Sequence, residues 1–283
     1  MRTVAILMLG LLGACGGGDG SALDGFLESN IQGASTAVDY EVSSAGATFD
    51  GATGIDGGGI DPTGQGSTVT LTTDAEGFIS VVELNISSGG VVFTETFSGR
   101  QPANITLETM ADTISLVRTG SNGSSGFAID ALNSSLFGAW LLNEAGDDLE
   151  IGTFAGGNET PLANVPTSGS ASYTGYTIGA GATGTELFAL RGSIRIDADF
   201  ALHDVTSTIS NISTLNTNNI SGALPNLTGS GAIVGNDFTT SLSGGALSGA
   251  LTGAFYGTNA DEAAGTWRVT GGGTTAVGSF AAQ

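Results

Sequence analysis

Apolar and polar residues alternate along most of this chain with a period of two, in short runs separated by Gly, Asn, Asp and Ser clusters. That period predicts half-buried strands rather than helices. From Gly192 to Phe200, the residues Ile194, Ile196, Ala198 and Phe200 fall on one side and Ser193, Arg195, Asp197 and Asp199 on the other, which makes one face buried and one wet. Leu247, Gly249, Leu251, Gly253 and Phe255 repeat the pattern, with Ser248, Ala250, Thr252 and Tyr256 opposite. Glycine inside such a strand admits sharp coiling and close approach of a neighbouring backbone, as a small closed barrel requires. Further strands are predicted over Thr68 to Thr73, Phe78 to Ile86, Val91 to Phe97, Ile105 to Thr109, Thr113 to Val117 and Phe127 to Ala131. Gly57-Gly58-Gly59 and Gly120 to Gly126 read as exposed turns. The expected fold is all-β.

The strands divide into two regions. From Gly25 to about Leu149 they cluster as hairpins, which reads as one antiparallel unit. Residues 157–170 hold two of the chain's five prolines and read as the linker, after which strands resume. No fixed-length repeat is present; a lone Asp56-Gly57-Gly58-Gly59-Ile60-Asp61 is too little for a calcium-binding β-roll. The N-terminus reads Met1-Arg2-Thr3, an apolar run from Val4 to Leu12, then Gly13-Ala14-Cys15-Gly16-Gly17-Gly18. That run is too short to span a bilayer and has the form of a secretory signal. Leu12-Gly13-Ala14-Cys15 resembles the bacterial lipobox, which implies acylation of Cys15 as the first mature residue, and Gly16 in place of an Asp implies the outer membrane. The expected organisation is a lipoprotein signal peptide over 1–14, an acylated Cys and Gly-rich tether over 15–24, an N-terminal β unit with linker over 25–165, and a β-barrel over 166–283.

Composition narrows the chemistry. The 283 residues include 48 Gly, and the six cations are all Arg. Without lysine there is no phosphate-binding P-loop, no Schiff base, no S-x-x-K acyl transfer and no kinase chemistry, because each centres on an ammonium group. A formal charge of −21 repels a phosphate backbone, so no nucleic-acid partner is expected. One Cys makes neither an internal disulfide nor a thiolate metal cluster.

Few constellations carry chemistry. His203-Asp204 is the one His-Asp pair, but no Gly-x-Ser-x-Gly elbow accompanies it, and it reads as a strand end at the surface. Asp147-Asp148-x-Glu150 offers carboxylates without EF-hand spacing and reads as a solvated turn. Arg191 and Arg195 share a strand face with Asp197 and Asp199, a ladder of opposite charges or one side of a recognition patch. Tyr173, Tyr176, Phe255, Tyr256 and Trp267 lie near predicted strand ends, as core or barrel rim. No catalytic residue, metal or cofactor is expected, and the ligand-binding residues are not selected by any motif.

The stretch Gly253-Ala254-Phe255-Tyr256-Gly257-Thr258-Asn259-Ala260-Asp261-Glu262-Ala263-Ala264-Gly265-Thr266-Trp267, with Gly278-Ser279-Phe280-Ala281-Ala282 after it, resembles the closing segment of transferrin-binding protein B-like surface lipoproteins. Gly169-Ser170-Ala171-Ser172-Tyr173-Thr174-Gly175 is similar to that family's barrel-opening strand, and Gly235-Asn236-Asp237-Phe238 to another strand start. Phe137-Gly138-Ala139-Trp140 and Thr160-Pro161 resemble the lead-in. The resemblance covers about residues 137–283 and implies an eight-stranded antiparallel β-barrel preceded by a handle-like antiparallel β unit. It further implies a non-catalytic cell-surface binding protein held in outer-membrane lipid through Cys15, with an iron or haem carrier protein and a TonB-dependent receptor as partners. The alternative is a structural or adhesive surface lipoprotein without a solute ligand.

Overall fold

A computed structural model of the protein describes residues 37–50, 54–60, 68–73, 79–88, 91–98, 105–110, 113–120, 123–144, 149–216, 218 and 220–283. Alternation resolves into strands throughout, and the one helical element among the described residues is a 3-10 turn, Leu162–Asn164. The first ten strands are β1 (Ala37–Asp50), β2 (Gly54–Ile60), β3 (Thr68–Thr73), β4 (Ile79–Ser88), β5 (Val91–Ser98), β6 (Ile105–Met110), β7 (Thr113–Gly120), β8 (Gly123–Ala131), β9 (Ser135–Glu144) and β10 (Leu149–Gly157). They form one sheet in the order β5-β4-β3-β1-β10-β9-β8-β7-β6, with β2 beside β1. The long β1 joins its two halves, pairing over Ala37–Glu41 with β3 and over Val42–Phe49 with β10, both antiparallel.

Two expected turns prove to be strand over their described residues. Gly57-Gly58-Gly59 lies within β2, which is antiparallel to β1 with a register shift between Gly46 and Thr48. The three glycines fall between the Thr48↔Asp56 and Gly46↔Ile60 pairs, so they form the bulge that this shift creates. Pairing of β7 with β8 continues to Gly120↔Gly123, so Gly123 to Gly126 are also ladder residues.

The remaining strands are β11 (Ser170–Thr183), β12 (Glu186–Asp199), β13 (Asp204–Asn216), β14 (Ser221–Ala223), β15 (Leu227–Val234), β16 (Asp237–Gly244), β17 (Leu247–Tyr256), β18 (Glu262–Gly271) and β19 (Thr274–Ala282). Their order is β12-β11-β19-β18-β17-β16-β15-β13-β14, and β12 also pairs with β13. That last pairing closes a ring of eight antiparallel strands, with the short β14 hanging on β13 outside it. Ile194, Ile196 and Ala198 face inward and are buried, while Arg195 is exposed. Eight strands leave an interior that side chains can fill. Here it is filled: Trp267, Phe238, Phe255 and Phe280 are fully buried among Leu190, Ile209, Leu227 and Leu251.

Among the described residues, four aromatic rings cover the glycine that faces them across a strand pair: Trp140 over Gly152, Phe188 over Gly181, Phe238 over Gly253 and Trp267 over Gly278. A Cβ on any of these glycines would run into the ring facing it. The ring covers backbone that glycine leaves bare, and the missing side chain lets the strands coil. Trp267 is satisfied as well as packed. Its Nε1–H donates to Thr177 Oγ1 at 2.7 Å, and that hydroxyl donates to the Ser279 carbonyl at 2.7 Å.

Part of the barrel's outer wall is a second core. Ile178, Ala180 and Ala182 of β11, Leu187 and Ala189 of β12, Ala254 and Tyr256 of β17, Ala264 and Ala281 pack against Phe137, Ala139, Ile151 and Ala155 of β9 and β10. Most of the barrel's contribution is alanine, and small side chains let the two layers approach closely. Tyr256 points away from Phe255 as the alternation predicts, yet it is buried because the N-terminal sheet covers that face. Polar ties cross the junction. Ser279 Oγ donates to the Gly138 carbonyl at 2.7 Å. Glu262, 2 % exposed, accepts from Ser135 Oγ at 2.7 Å and from the Ser134 amide at 3.1 Å. Burial outweighs these donors and holds its carboxyl above the ordinary glutamate range.

Candidate functional site

Three turns and the segment entering the barrel converge on one end of it. The β12–β13 turn runs from Asp199 to Asp204, the β15–β16 turn from Val234 to Asp237, and the β17–β18 turn from Tyr256 to Glu262. Asp199 Oδ1 accepts from the amides of Ala201 and Leu202, both at 3.0 Å, and His203 adopts a left-handed φ of 57°. A short acceptor two and three residues upstream of the amides it holds, with one left-handed residue, reverses a chain without further support. The His203 carbonyl then accepts from Ile233 N at 2.8 Å, which ties this turn to the next.

The second turn is fixed from below. Gly235 takes a φ of 66°, and buried Asn236 donates its Nδ2 to the Phe255 carbonyl at 3.0 Å. The same carbonyl accepts from the Thr160 amide at 2.9 Å, and Asn164 Nδ2 donates to the Thr258 carbonyl at 3.0 Å. Residues 158–164 are therefore laid along the barrel end, with Glu159 bridging to Tyr256. Beneath the turns, Phe255 meets Tyr173, Phe200 and Phe238 at centroid distances of 5.7, 5.2 and 5.1 Å, a plug of four rings. The Tyr173 hydroxyl donates to the Ala260 carbonyl at 2.7 Å, and burial together with the charge of Asp261 pushes its pKa to about 12. Burial, then Glu159 and Asp237, raise Tyr256 further above its ordinary value.

On this rigid base three large apolar side chains face water: Leu162 at 71 % exposure, Leu202 at 68 % and Val234 at 73 %. They are neighbours. Leu162 Cδ2 comes within 3.2 Å of where a Gly235 Cβ would lie, Gly235 follows Val234, and the Ile233 amide meets the turn that carries Leu202. Carboxylates share the same turns and entering segment, with Glu159, Asp204, Asp237 and Asp261 all exposed. Along the adjoining wall an open groove of about 510 Å³ runs between Ser172, Arg195, Asp197 and Thr206.

The residues singled out by sequence are distributed unevenly. His203 and Asp204 stand on this rim, with the imidazole exposed at a turn. Of the expected charge ladder, Arg195 and Asp197 pair at 2.8 Å on the surface, whereas Asp199 turns aside to hold the Ala201 and Leu202 amides. Tyr173, Phe255, Tyr256 and Trp267 are buried, and Tyr176 is exposed. Cys15, the segments 1–14 and 15–24, Asp147 and Asp148 lie outside the described residues. No motif in the sequence marks Leu162, Leu202 or Val234. Their signal is an apolar residue beside Pro161, before His203-Asp204 and before Gly235-Asn236-Asp237.

Residues 165–283 match the family model described as C-lobe and N-lobe beta barrels of Tf-binding protein B, so the barrel has that family's fold. The lead-in residues Phe137–Trp140 and Thr160-Pro161 fall outside the matched span. Among solved structures, transferrin-binding protein B of Haemophilus parasuis Hp5, in a double mutant, is 12 % identical over 88 % of this chain and 76 % of that one, with a TM-score of 0.47. The isotype 1 protein from serogroup B Neisseria meningitidis is 17 % identical over 86 % and 43 %, with a TM-score of 0.46. The haemoglobin receptor HpuA of Kingella denitrificans is 14 % identical over 89 % and 88 %, with a TM-score of 0.41. No curated protein matches the chain.

Proposed function

We propose that this chain is an outer-membrane surface lipoprotein, anchored through acylated Cys15, that binds an iron- or haem-carrying protein without catalysis and works beside a TonB-dependent transporter. The match of residues 165–283 to the barrels of a transferrin-binding protein carries the reading. Residues 1–14 are then the cleaved leader, 15–24 the tether, 25–165 the N-terminal unit and 166–283 the binding barrel. The filled interior supports a macromolecular partner, because a barrel packed with Trp267, Phe238, Phe255 and Phe280 has no room for a solute.

The test has two arms. Full-length chain in detergent is titrated with transferrin, lactoferrin and haemoglobin, and Cys15→Ala is followed by palmitate labelling and membrane fractionation. Binding to at least one of the three is expected, with label and membrane association lost in the variant. Binding to none, or an unlabelled wild type, overturns the corresponding half of the proposal.

A further inference from the structure

We infer that the turn-bearing end of the barrel docks on a basic protein, with Leu162, Leu202 and Val234 seated in an apolar hollow of the partner and Glu159, Asp204 and Asp237 facing cationic side chains around it. The inference rests on the reading of the chain as a binding protein and adds the surface used and the chemistry of the partner. Single exposed apolar residues are ordinary, but three adjoining ones at 71, 68 and 73 % exposure form a patch. The Asp199, His203 and Asn236 hydrogen bonds fix the turns that carry Leu202 and Val234, and the Thr160 and Asn164 hydrogen bonds fix the segment that carries Leu162, so little ordering entropy opposes docking. An apolar centre with a charged rim is the ordinary anatomy of a protein interface.

Charge selects the occupant. The whole chain has six Arg and no Lys, and Arg195, the cation beside this rim, is paired with Asp197. The chain's own N-terminal segment cannot supply the complementary charge, because residues 16–36 carry Asp19, Asp24 and Glu28 and no cation. A second copy would set one acidic rim against another across a two-fold axis, and like charges facing each other oppose association. The cations must come from a different protein. With a net charge of −21, encounter with such a partner is steered and slows as salt rises.

The experiment titrates full-length chain in detergent with transferrin, lactoferrin, haemoglobin and lysozyme, the last basic and free of iron, at low and moderate salt. Each titration is repeated with Leu162→Asp/Leu202→Asp/Val234→Asp, with Asp204→Lys/Asp237→Lys, and with Ile220→Asp at the opposite end of the barrel. Circular dichroism confirms that each variant is folded. The expected result is binding that favours the more basic proteins, weakens with salt, falls at least tenfold in both rim variants and is unchanged in Ile220→Asp. Binding to an iron carrier that the rim variants leave intact overturns the docking surface while the functional reading stands. Rim-dependent binding to lysozyme alone supports the surface and removes the iron-carrier reading. Binding to none of the four overturns both. Self-association of the wild type that the rim variants abolish, or tighter binding after deletion of residues 16–36, assigns the patch to this chain itself and overturns the basic partner.

Discussion

Trp267 joins three roles in one side chain: it fills the barrel, covers Gly278 and donates to Thr177 Oγ1. Trp267→Ala is expected to cost about 3–5 kcal/mol, read as a shift in urea midpoint at unchanged slope, and a midpoint close to wild type would mean an exposed ring. The reciprocal change is informative too. Gly278→Ala places a methyl against the indole and is expected to cost about 1–3 kcal/mol, partly recovered in the double variant with Trp267→Leu. Glu262 makes a pH prediction of definite sign. Its pKa in the fold lies above the unfolded value, so the native state binds the extra proton, and the stability that Glu262 itself contributes is fully present below the ordinary glutamate range and is lost as pH rises through the raised value. Glu262→Gln is expected to flatten this slope, measured as denaturant midpoints from pH 3 to 8; an unchanged slope would show that Glu262 titrates normally.

At the scale of the element, period-two alternation carried most of the information. Thr68–Thr73 is a strand at the bounds read from sequence, and the inward set of β12 is the one that alternation marks. The same rule fails at Leu202. Phe200 and Leu202 share a parity, yet Phe200 is buried and Leu202 exposed, because β12 ends at Asp199 and the Asp199 carboxylate and left-handed His203 turn the chain that carries both. Turn geometry outranks parity wherever a side-chain acceptor captures the backbone. Glu262 was legible only as part of a turn motif, since the Ser135 hydroxyl it accepts from lies 127 residues away. The covered wall yields a prediction for fragments. Residues 166–283 are expected to fold alone as a closed barrel, but with Ile178, Leu187 and Tyr256 newly exposed they should be less stable than the full chain and self-associate in gel filtration. A monomer of full-chain stability would show that the wall contributes little.

For the whole molecule, the notable constraint is the pairing of β11 with β19. Thr183 and Thr274 touch through their hydroxyls at 2.8 Å although 91 residues separate them. Every strand from β11 to β18 can pair locally, but the ring stays open until Thr274–Ala282 takes its place between β18 and β11. Closing so long a loop is entropically costly, and folds dominated by such pairings assemble in milliseconds to seconds rather than microseconds. Deleting residues 274–283 is expected to leave two unpaired edges and to drive aggregation, seen by light scattering. The order of events follows from the connectivity. A chain delivered N-terminus first holds a curved, open sheet until its eighth ring strand arrives, so a chaperone that masks strand edges has its longest task here, and passage through a narrow conduit remains possible up to the moment of closure.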